Sequence, residues 1–139
     1  MSQKTRKVNV HRGFPSPSRD FKTDCLSLDD IFVKHPSSTF YFRFVGGGFK
    51  KSGITSGDIL MIDRSLDMLN NDLIIVELDG ELLLRRYNKN MDLITLSTDY
   101  DYIKRGVGLE GFVLWGVVTV VVKSLRYYRD FKGIYVCNN

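Results

Sequence analysis

The stretch of this sequence that most resembles a chemical site is rich in glycine and is followed by lysine and serine. It reads Val45-Gly46-Gly47-Gly48-Phe49-Lys50-Lys51-Ser52-Gly53. A phosphate-binding P-loop has a glycine, four further residues, and then Gly-Lys-Ser or Gly-Lys-Thr. Because no glycine directly precedes the lysine pair, the spacing excludes a P-loop. The run instead predicts a tight turn whose glycines adopt positive φ.

Hydrolysis by a serine nucleophile needs a base beside the serine hydroxyl. A histidine base is difficult to supply, because His11 lies in a proline-containing arm and His35 directly precedes Pro36. A lysine base must be buried so that its pKa falls and it becomes neutral. No candidate lysine lies in the middle of an apolar segment, although Lys123 lies at the end of one. The candidates are Lys50, Lys51, Lys89, Lys104 and Lys123.

Metal-ligating side chains are few and scattered. The two histidines and two cysteines are His11, His35, Cys25 and Cys137. Zinc sites use three or four ligands at short, recognisable spacings, which these residues do not form. We therefore predict no metal, no other cofactor and no disulfide framework.

The composition is that of one globular domain. The chain has 139 residues, of which 43% are hydrophobic and 26% are charged, which excludes collagen, coiled coil and wholesale disorder. The net charge of +4 divides into +5 on residues 1–23, −4 on residues 24–122 and +3 on residues 123–139. A basic end can contact nucleic acid or an acidic partner by charge alone, or can simply be solvated.

No segment is suited to secretion or to a membrane. The most apolar run, Phe112 to Val122, is about half as long as the roughly 20 residues that a transmembrane helix needs. Its β-branched residues favour a buried strand. With no signal peptide and few cysteines, the expected location is the reduced cytoplasm.

The pattern of elements predicts a mainly β fold: compact, partly rolled antiparallel sheets with one short helix and an extended arm. Ser27, with Asp30 at the capping-box position, predicts the start of a helix over residues 27–35, which Pro36 ends. Asp79-Gly80 predicts a β-hairpin. The predicted strands cover residues 39–45, 58–63, 72–78, 81–87, 93–97 and 111–123.

Three regions follow from this pattern. Residues 1–24 form an extended basic N-terminal arm, because Pro15 and Pro17 cannot donate to a helix or a sheet. Residues 25–126 form the β-rich body. Residues 127–139 form a basic C-terminal extension that could be a final strand, a helix or a partly ordered end.

Several ordered motifs resemble the UmuD family of LexA-type self-cleaving serine peptidases. They are Gly13-Phe14-Pro15-Ser16-Pro17, His35-Pro36-Ser37, Gly53-Ile54 with Ser56-Gly57-Asp58, Asp79-Gly80-Glu81, and Gly116-Val117-Val118 with Val121-Val122-Lys123. The resemblance covers residues 13–126. It implies a homodimer with a peptidase-type β body that cuts its own arm when a RecA–single-stranded DNA filament stimulates it. The shortened dimer then joins a Y-family polymerase for translesion synthesis in the SOS response.

The same resemblance implies a Ser-Lys dyad, and this chain departs from it at both positions. Gly48 stands at the nucleophile position and Arg85 at the lysine position. Glycine has no hydroxyl, and arginine stays protonated and cannot accept a proton. We expect Arg85 to be a structural cation paired with an acid such as Glu81. Ser52 and Ser56 match loop and turn positions of the family rather than its nucleophile.

The cleavage site also departs from the family pattern. The bond would be Arg12-Gly13, where the family has a small residue before the glycine. A long cation fits a pocket for a small side chain poorly.

Three hypotheses follow. The leading one is a non-proteolytic UmuD-like protein that acts by binding, as a homodimer or as a heterodimer with an active UmuD-like protein. The second is a self-cleaving peptidase with a relocated Ser-Lys dyad. The third is a phage or plasmid regulator related to LexA-type repressors. It would need a helix-turn-helix domain, for which residues 1–24 leave no room, so we expect no sequence-specific DNA binding.

Overall fold

The computed structural model describes residues 26–106, 112–126 and 133–138, with residues 102–106 described by their backbone alone. The chain divides into two compact units between Val33 and Lys34. In the first, α1 (Leu28–Phe32) is a single short helix. The second contains the β-sheet and the candidate site.

Helix α1 has the predicted N-terminus but ends earlier than predicted. The Asp30 N–H donates to Ser27 Oγ at 3.0 Å, and the Ser27 N–H donates to Asp30 Oδ2 at 3.1 Å. This reciprocal capping box confirms the predicted start. The predicted end at residue 35 is wrong, because Val33 is already extended with φ −84° and ψ 111°.

Eight strands of the described residues form one sheet, which confirms the mainly β prediction. They are β1 (Thr39–Gly46), β2 (Ile59–Asp63), β3 (Leu73–Leu78), β4 (Glu81–Asn90), β5 (Leu93–Ser97), β6 (Tyr102–Gly106), β7 (Phe112–Val122) and β8 (Ile134–Asn138). Their order across the sheet is β6-β5-β4-β3-β7-β2-β1-β8. All neighbours are antiparallel except β1 and β8, which are parallel.

The β3–β4 hairpin forms as the sequence predicts. Asp79 and Gly80 have φ values of 52° and 82°, and Leu78 pairs with Glu81 directly across the turn. Positive φ at both central residues is the geometry that matches the twist of a tight hairpin.

Apolar side chains fill both faces of the central strands. Adjacent residues of β3, Ile74 and Ile75, belong to different buried clusters. One cluster gathers Phe42, Phe44, Phe49, Ile54, Leu60, Ile62, Ile75, Leu84 and Val136. The other gathers Ile74, Val76, Tyr87, Ile94, Leu96 and Val117.

The sheet curls so that its edge strand β8 reaches back to β4. The register shifts between Met61 and Ile62, and between Ile75 and Val76, interrupt the pairing with β7. Such irregularities increase the local twist of a sheet. The side chain of Asn138 then hydrogen-bonds to the backbone of Leu84, although β8 and β4 are far apart in strand order.

Two strands were missing from the sequence prediction or left open by it. Strand β6 was not predicted. Part of the C-terminal region, whose sequence is compatible with a strand, a helix or a partly ordered end, forms β8. Within the described residues, no helix has the length and apolar character needed to cross a membrane.

Candidate functional site

The glycine run begins at Gly46, the last residue of β1, and turns the chain toward the loop that follows β5. Gly46 and Gly48 have φ values of 110° and 99°, which confirms the predicted turn with positive φ. The Gly48 carbonyl accepts a hydrogen bond from the Asp99 N–H at 2.9 Å. Phe49 follows with 0% of its surface exposed and anchors the loop in the core.

Gly48 itself has space beside it. A Cβ at this position would lie 3.6 Å from Cβ and Cγ2 of Thr98 and 4.0 Å from Nδ2 of Asn138. These are ordinary van der Waals distances. With no side chain, however, Gly48 presents only backbone atoms to this region.

Arg85 lies on β4, opposite Ile74 of β3. Its side chain is half-buried, and Nη1 donates to the carbonyl oxygen of the preceding residue, Leu84, at 2.7 Å. Burial lowers the pKa of the guanidinium from its ordinary value. Among the described residues no carboxylate forms a salt bridge with it. The expected pairing with Glu81 is therefore wrong, since the cation is held by a backbone carbonyl.

Asn138 connects the two regions in which Gly48 and Arg85 lie. Its Oδ1 accepts a hydrogen bond from the Leu84 N–H at 3.1 Å, and its Nδ2 donates to the Leu84 carbonyl at 3.3 Å. The same Nδ2 lies 3.5 Å from the Gly47 carbonyl. No sequence pattern points to Asn138, because it lies beyond the motifs that carry the family resemblance and its contacts depend on long-range pairing.

Both serines near the glycine run have other partners. Ser52 Oγ donates to Asp99 Oδ1 at 2.6 Å and accepts from Arg86 Nη2 at 2.8 Å. Ser56 Oγ accepts from the Gly46 N–H at 3.3 Å. No described lysine amine hydrogen-bonds to either hydroxyl, so the described contacts contain no Ser-Lys pair here.

Lys123, the lysine nearest to an apolar strand, lies in an ion pair. Its Nζ lies 2.6 Å from Asp58 Oδ2 and 3.0 Å from Thr55 Oγ1. Asp58 is only 3% exposed. In its described contacts the amine is therefore engaged by a carboxylate and a threonine hydroxyl, and not by a serine.

His35 contacts an acid rather than a serine. Its Nδ1 lies 2.5 Å from Asp63 Oδ2, while Asp63 Oδ1 accepts bonds from the backbone N–H and the hydroxyl of Ser65 at 2.8 and 2.6 Å. In a Ser-His-Asp triad the histidine lies between the other two residues. Here the aspartate lies between them, so the cluster cannot activate Ser65.

The charge of Asp63 is stabilised by these contacts. Burial alone raises the pKa of this carboxyl, but the hydrogen bonds from Ser65 and the contact with His35 outweigh burial and hold the pKa below its ordinary value of 3.8. The arrangement fits a structural anchor between the start of β1 and the end of β2.

The remaining candidate residues from the sequence either lie outside the described residues or belong to no group of metal ligands. Arg12, Gly13, His11 and Cys25 lie outside the described residues. Cys137 is a free, exposed thiol on β8. No group of three or more potential metal ligands occurs in the parts of the chain that the structure describes.

Comparison with known proteins places the chain in a family. It matches the peptidase S24-like family over residues 7–118. Protein ImpA of Salmonella typhimurium is 31% identical over 121 residues, covering 84% of this chain and 81% of ImpA. Protein MucA of Escherichia coli is 29% identical over 112 residues, covering 79% and 77%. The LexA repressor of a Shewanella strain is 26% identical over 98 residues, which cover 68% of this chain and 48% of that repressor. The match over most of the chain makes this protein a member of the peptidase S24-like family of UmuD- and LexA-type proteins.

Proposed function

We propose that this chain is a non-proteolytic member of the UmuD-type group and that it acts by binding. The observation that carries the proposal is the pair of residues at the dyad positions. Gly48 has no nucleophile, and Arg85 keeps its proton at any physiological pH. Loss of either partner is enough to abolish Ser-Lys chemistry.

The surroundings of these positions support the same proposal. The hydroxyls of Ser52 and Ser56 are engaged by Asp99, Arg86 and the Gly46 N–H. The amine of Lys123 is engaged by Asp58. A relocated dyad would need a serine in contact with a neutral lysine. None of these described contacts joins a serine to a lysine.

The proposed binding takes place in the cytoplasm, in the SOS or mutagenesis setting implied by the family resemblance. The chain forms a homodimer, and a two-fold interface is self-complementary. A relative that shares the interface can therefore replace one subunit. The proposed partners are a Y-family DNA polymerase, the RecA filament and an active UmuD-like protein whose cleavage or polymerase binding the mixed dimer alters. The fold does not need the dyad for any of these roles.

Cleavage is tested by incubating the purified chain with RecA, single-stranded DNA and nucleotide. We expect the chain to stay intact at times when an active UmuD-type protein is fully cut in a parallel reaction. A product cut between Arg12 and Gly13 would contradict the proposal. An Arg12→Ala variant is included, so that an intact wild type cannot be attributed to the unsuitable residue at the cleavage bond alone.

Binding is tested by recovering the tagged chain from DNA-damaged and undamaged host cells. We expect damage-dependent recovery of a Y-family polymerase or of an active UmuD-like protein. Recovery of neither, with the tagged chain itself abundant and folded, would count against the proposed setting without affecting the proposal that the chain is non-proteolytic.

A further inference from the structure

The groove between the glycine loop and β4 is filled by a strand of this chain. β8 lies parallel to β1, with Ile134 opposite Phe42 and Asn138 opposite Gly46. From that position the Asn138 side chain reaches the backbone of Leu84 on β4. Strand β8 therefore has β1 on one side and the edge of β4 on the other.

Asn138 serves Leu84 as a neighbouring strand would. Strand β5 pairs with β4 only from Arg86 to Asn90, so it does not cover β4 at Leu84. Both the N–H and the C=O of Leu84 bond instead to the side-chain amide of Asn138, at 3.1 and 3.3 Å. A side-chain amide presents the same donor and acceptor as a peptide group, so it satisfies backbone groups that would otherwise lack a partner.

Gly46 gives β8 the room it needs. A Cβ on Gly46 would overlap the carbonyl oxygen of Asn138. Any other residue at position 46 would force the two strands apart at this point. The glycine run thus admits a strand beside β1, in addition to forming a turn.

Only two side chains of β8 are buried. Val136 is 0% exposed within the first apolar cluster, and Asn138 is 4% exposed. Ile134 and Tyr135 are 45% and 44% exposed. An edge strand with so little burial opens at a lower free energy than the interior of its sheet.

We propose that the glycine loop and the Leu84 edge of β4 form a peptide-binding groove, and that its occupant is β8 of this chain. The groove takes an extended peptide that runs parallel to β1, with an aliphatic side chain two residues before an asparagine. The asparagine pairs with the Leu84 backbone. While β8 is bound, the groove is closed to other strands. The inference goes beyond the proposed function and does not depend on a role in mutagenesis.

The first test measures hydrogen exchange in the full-length chain and in its Asn138→Ala variant. We expect the Leu84 amide to exchange about tenfold faster or more in the variant, because its hydrogen bond to a buried side chain is lost. Amides of β3 should be unchanged. The control is Asn90→Ala, which removes an exposed asparagine from β4, the strand that contains Leu84. Unchanged exchange at Leu84 in Asn138→Ala would overturn the proposal.

The second test measures fluorescence anisotropy of a labelled peptide with the sequence of residues 132–138. We expect it to bind Asn138→Ala at least tenfold more tightly than the wild type, where the tethered β8 competes at millimolar effective concentration. A matched peptide with the Asn138→Ala change should bind neither protein. Equal binding of the two peptides would overturn the proposed recognition of asparagine. Binding of the residue 132–138 peptide to the wild type as tightly as to Asn138→Ala would overturn the proposed closure.

A milder variant keeps the tests decisive if Asn138→Ala does not fold. Asn138→Asp keeps an acceptor for the Leu84 N–H but loses the donor to the Leu84 carbonyl. We expect faster exchange in β8 and tighter binding of the residue 132–138 peptide than in the wild type. Wild-type behaviour in both measurements would overturn the proposal.

Discussion

At Gly48 the available space and the backbone conformation favour different residues. A Cβ would meet Thr98 at an ordinary 3.6 Å, but the φ of +99° is one that L side chains rarely adopt. A serine at this position therefore needs a different loop backbone as well as a hydroxyl. We infer that the glycine loop of this chain is built for glycine and not merely missing a nucleophile.

Replacing Gly48 with serine tests this inference. We expect Gly48→Ser to lower the free energy of unfolding by roughly 1–3 kcal/mol, the range for a non-glycine residue held in a strained backbone region. The matched control is Gly47→Ser, because a Cβ there meets nothing within 4 Å and its φ is not in the strained range. Its effect should stay within about 0.5 kcal/mol. Urea unfolding of the three proteins makes the comparison, and equal losses in both variants would contradict it.

Asp63 gives a second prediction at the scale of single residues. Its pKa in the folded chain is lowered, so the unfolded chain binds more protons in acid. Its contribution to stability is therefore fully present above the ordinary pKa of 3.8 and is lost as the pH falls below that value and through the lower pKa of the folded chain.

The Asp63→Asn variant measures this contribution. At about pH 6 we expect the wild type to be the more stable protein, and at about pH 3 the difference should shrink, because the carboxyl of the unfolded chain, with its ordinary pKa, is then mostly protonated. Thermal unfolding at both pH values, with Asp67→Asn as an exposed-aspartate control, provides the measurement. A difference that grows in acid would show that the Ser65 and His35 contacts do not stabilise the charged form.

At the scale of elements, the β3–β4 hairpin gives a prediction that separates backbone from packing. Gly80 has a φ of +82°, and a Cβ there meets nothing within 4 Å. Gly80→Ala should therefore destabilise the sheet by about 1 kcal/mol through backbone conformation alone. Asp79→Asn, which keeps a residue type tolerant of positive φ, should be nearly neutral. Chemical unfolding of both variants checks this, and a neutral Gly80→Ala would contradict the turn geometry.

The hairpin also shows what a sequence can specify by itself. Asp79-Gly80 and the alternating residues on either side are local signals, and the observed turn matches them. Strand β6 was missed because Lys104 and Arg105 lie within it and reduce its apolar pattern. Strand β8 was left open because its region is basic and its pairing with β1 joins residues about 90 positions apart.

The candidate site also contains residues that local sequence predicts and residues that depend on long-range pairing. From the family motifs we predict that Gly48 and Arg85 stand at the dyad positions, since both lie at fixed offsets from recognisable residues. The contacts of Asn138, by contrast, depend on the curl of the whole sheet, which no local pattern encodes. The partner of Arg85 was also not predictable from the sequence, because it is a carbonyl of its own strand and not the expected Glu81.

At the scale of the whole molecule, the uneven charge gives the last prediction. Residues 1–23 carry +5, whereas residues 24–122 carry −4. Residues 123–139 carry a further +3, so any contact with nucleic acid should come from the two basic ends, with the arm as the larger contributor. It should be independent of base sequence and should weaken steeply with salt, because phosphate contacts release counterions.

Fluorescence anisotropy with labelled single-stranded DNA, over a series of salt concentrations, measures this contact. A variant with Lys4, Arg6 and Lys7 changed to glutamine should bind more weakly at low salt. Its plot of log affinity against log salt should be shallower by up to about 2, since each phosphate contact to a single strand contributes about 0.7. The control changes Lys34, Lys50 and Lys89 of the acidic body to glutamine, which removes the same charge and should leave the slope unchanged. Equal slopes in the two variants would show that net charge, and not the arm, governs the contact. A wild type that does not bind even at low salt would leave protein partners as the only targets of the arm's charge.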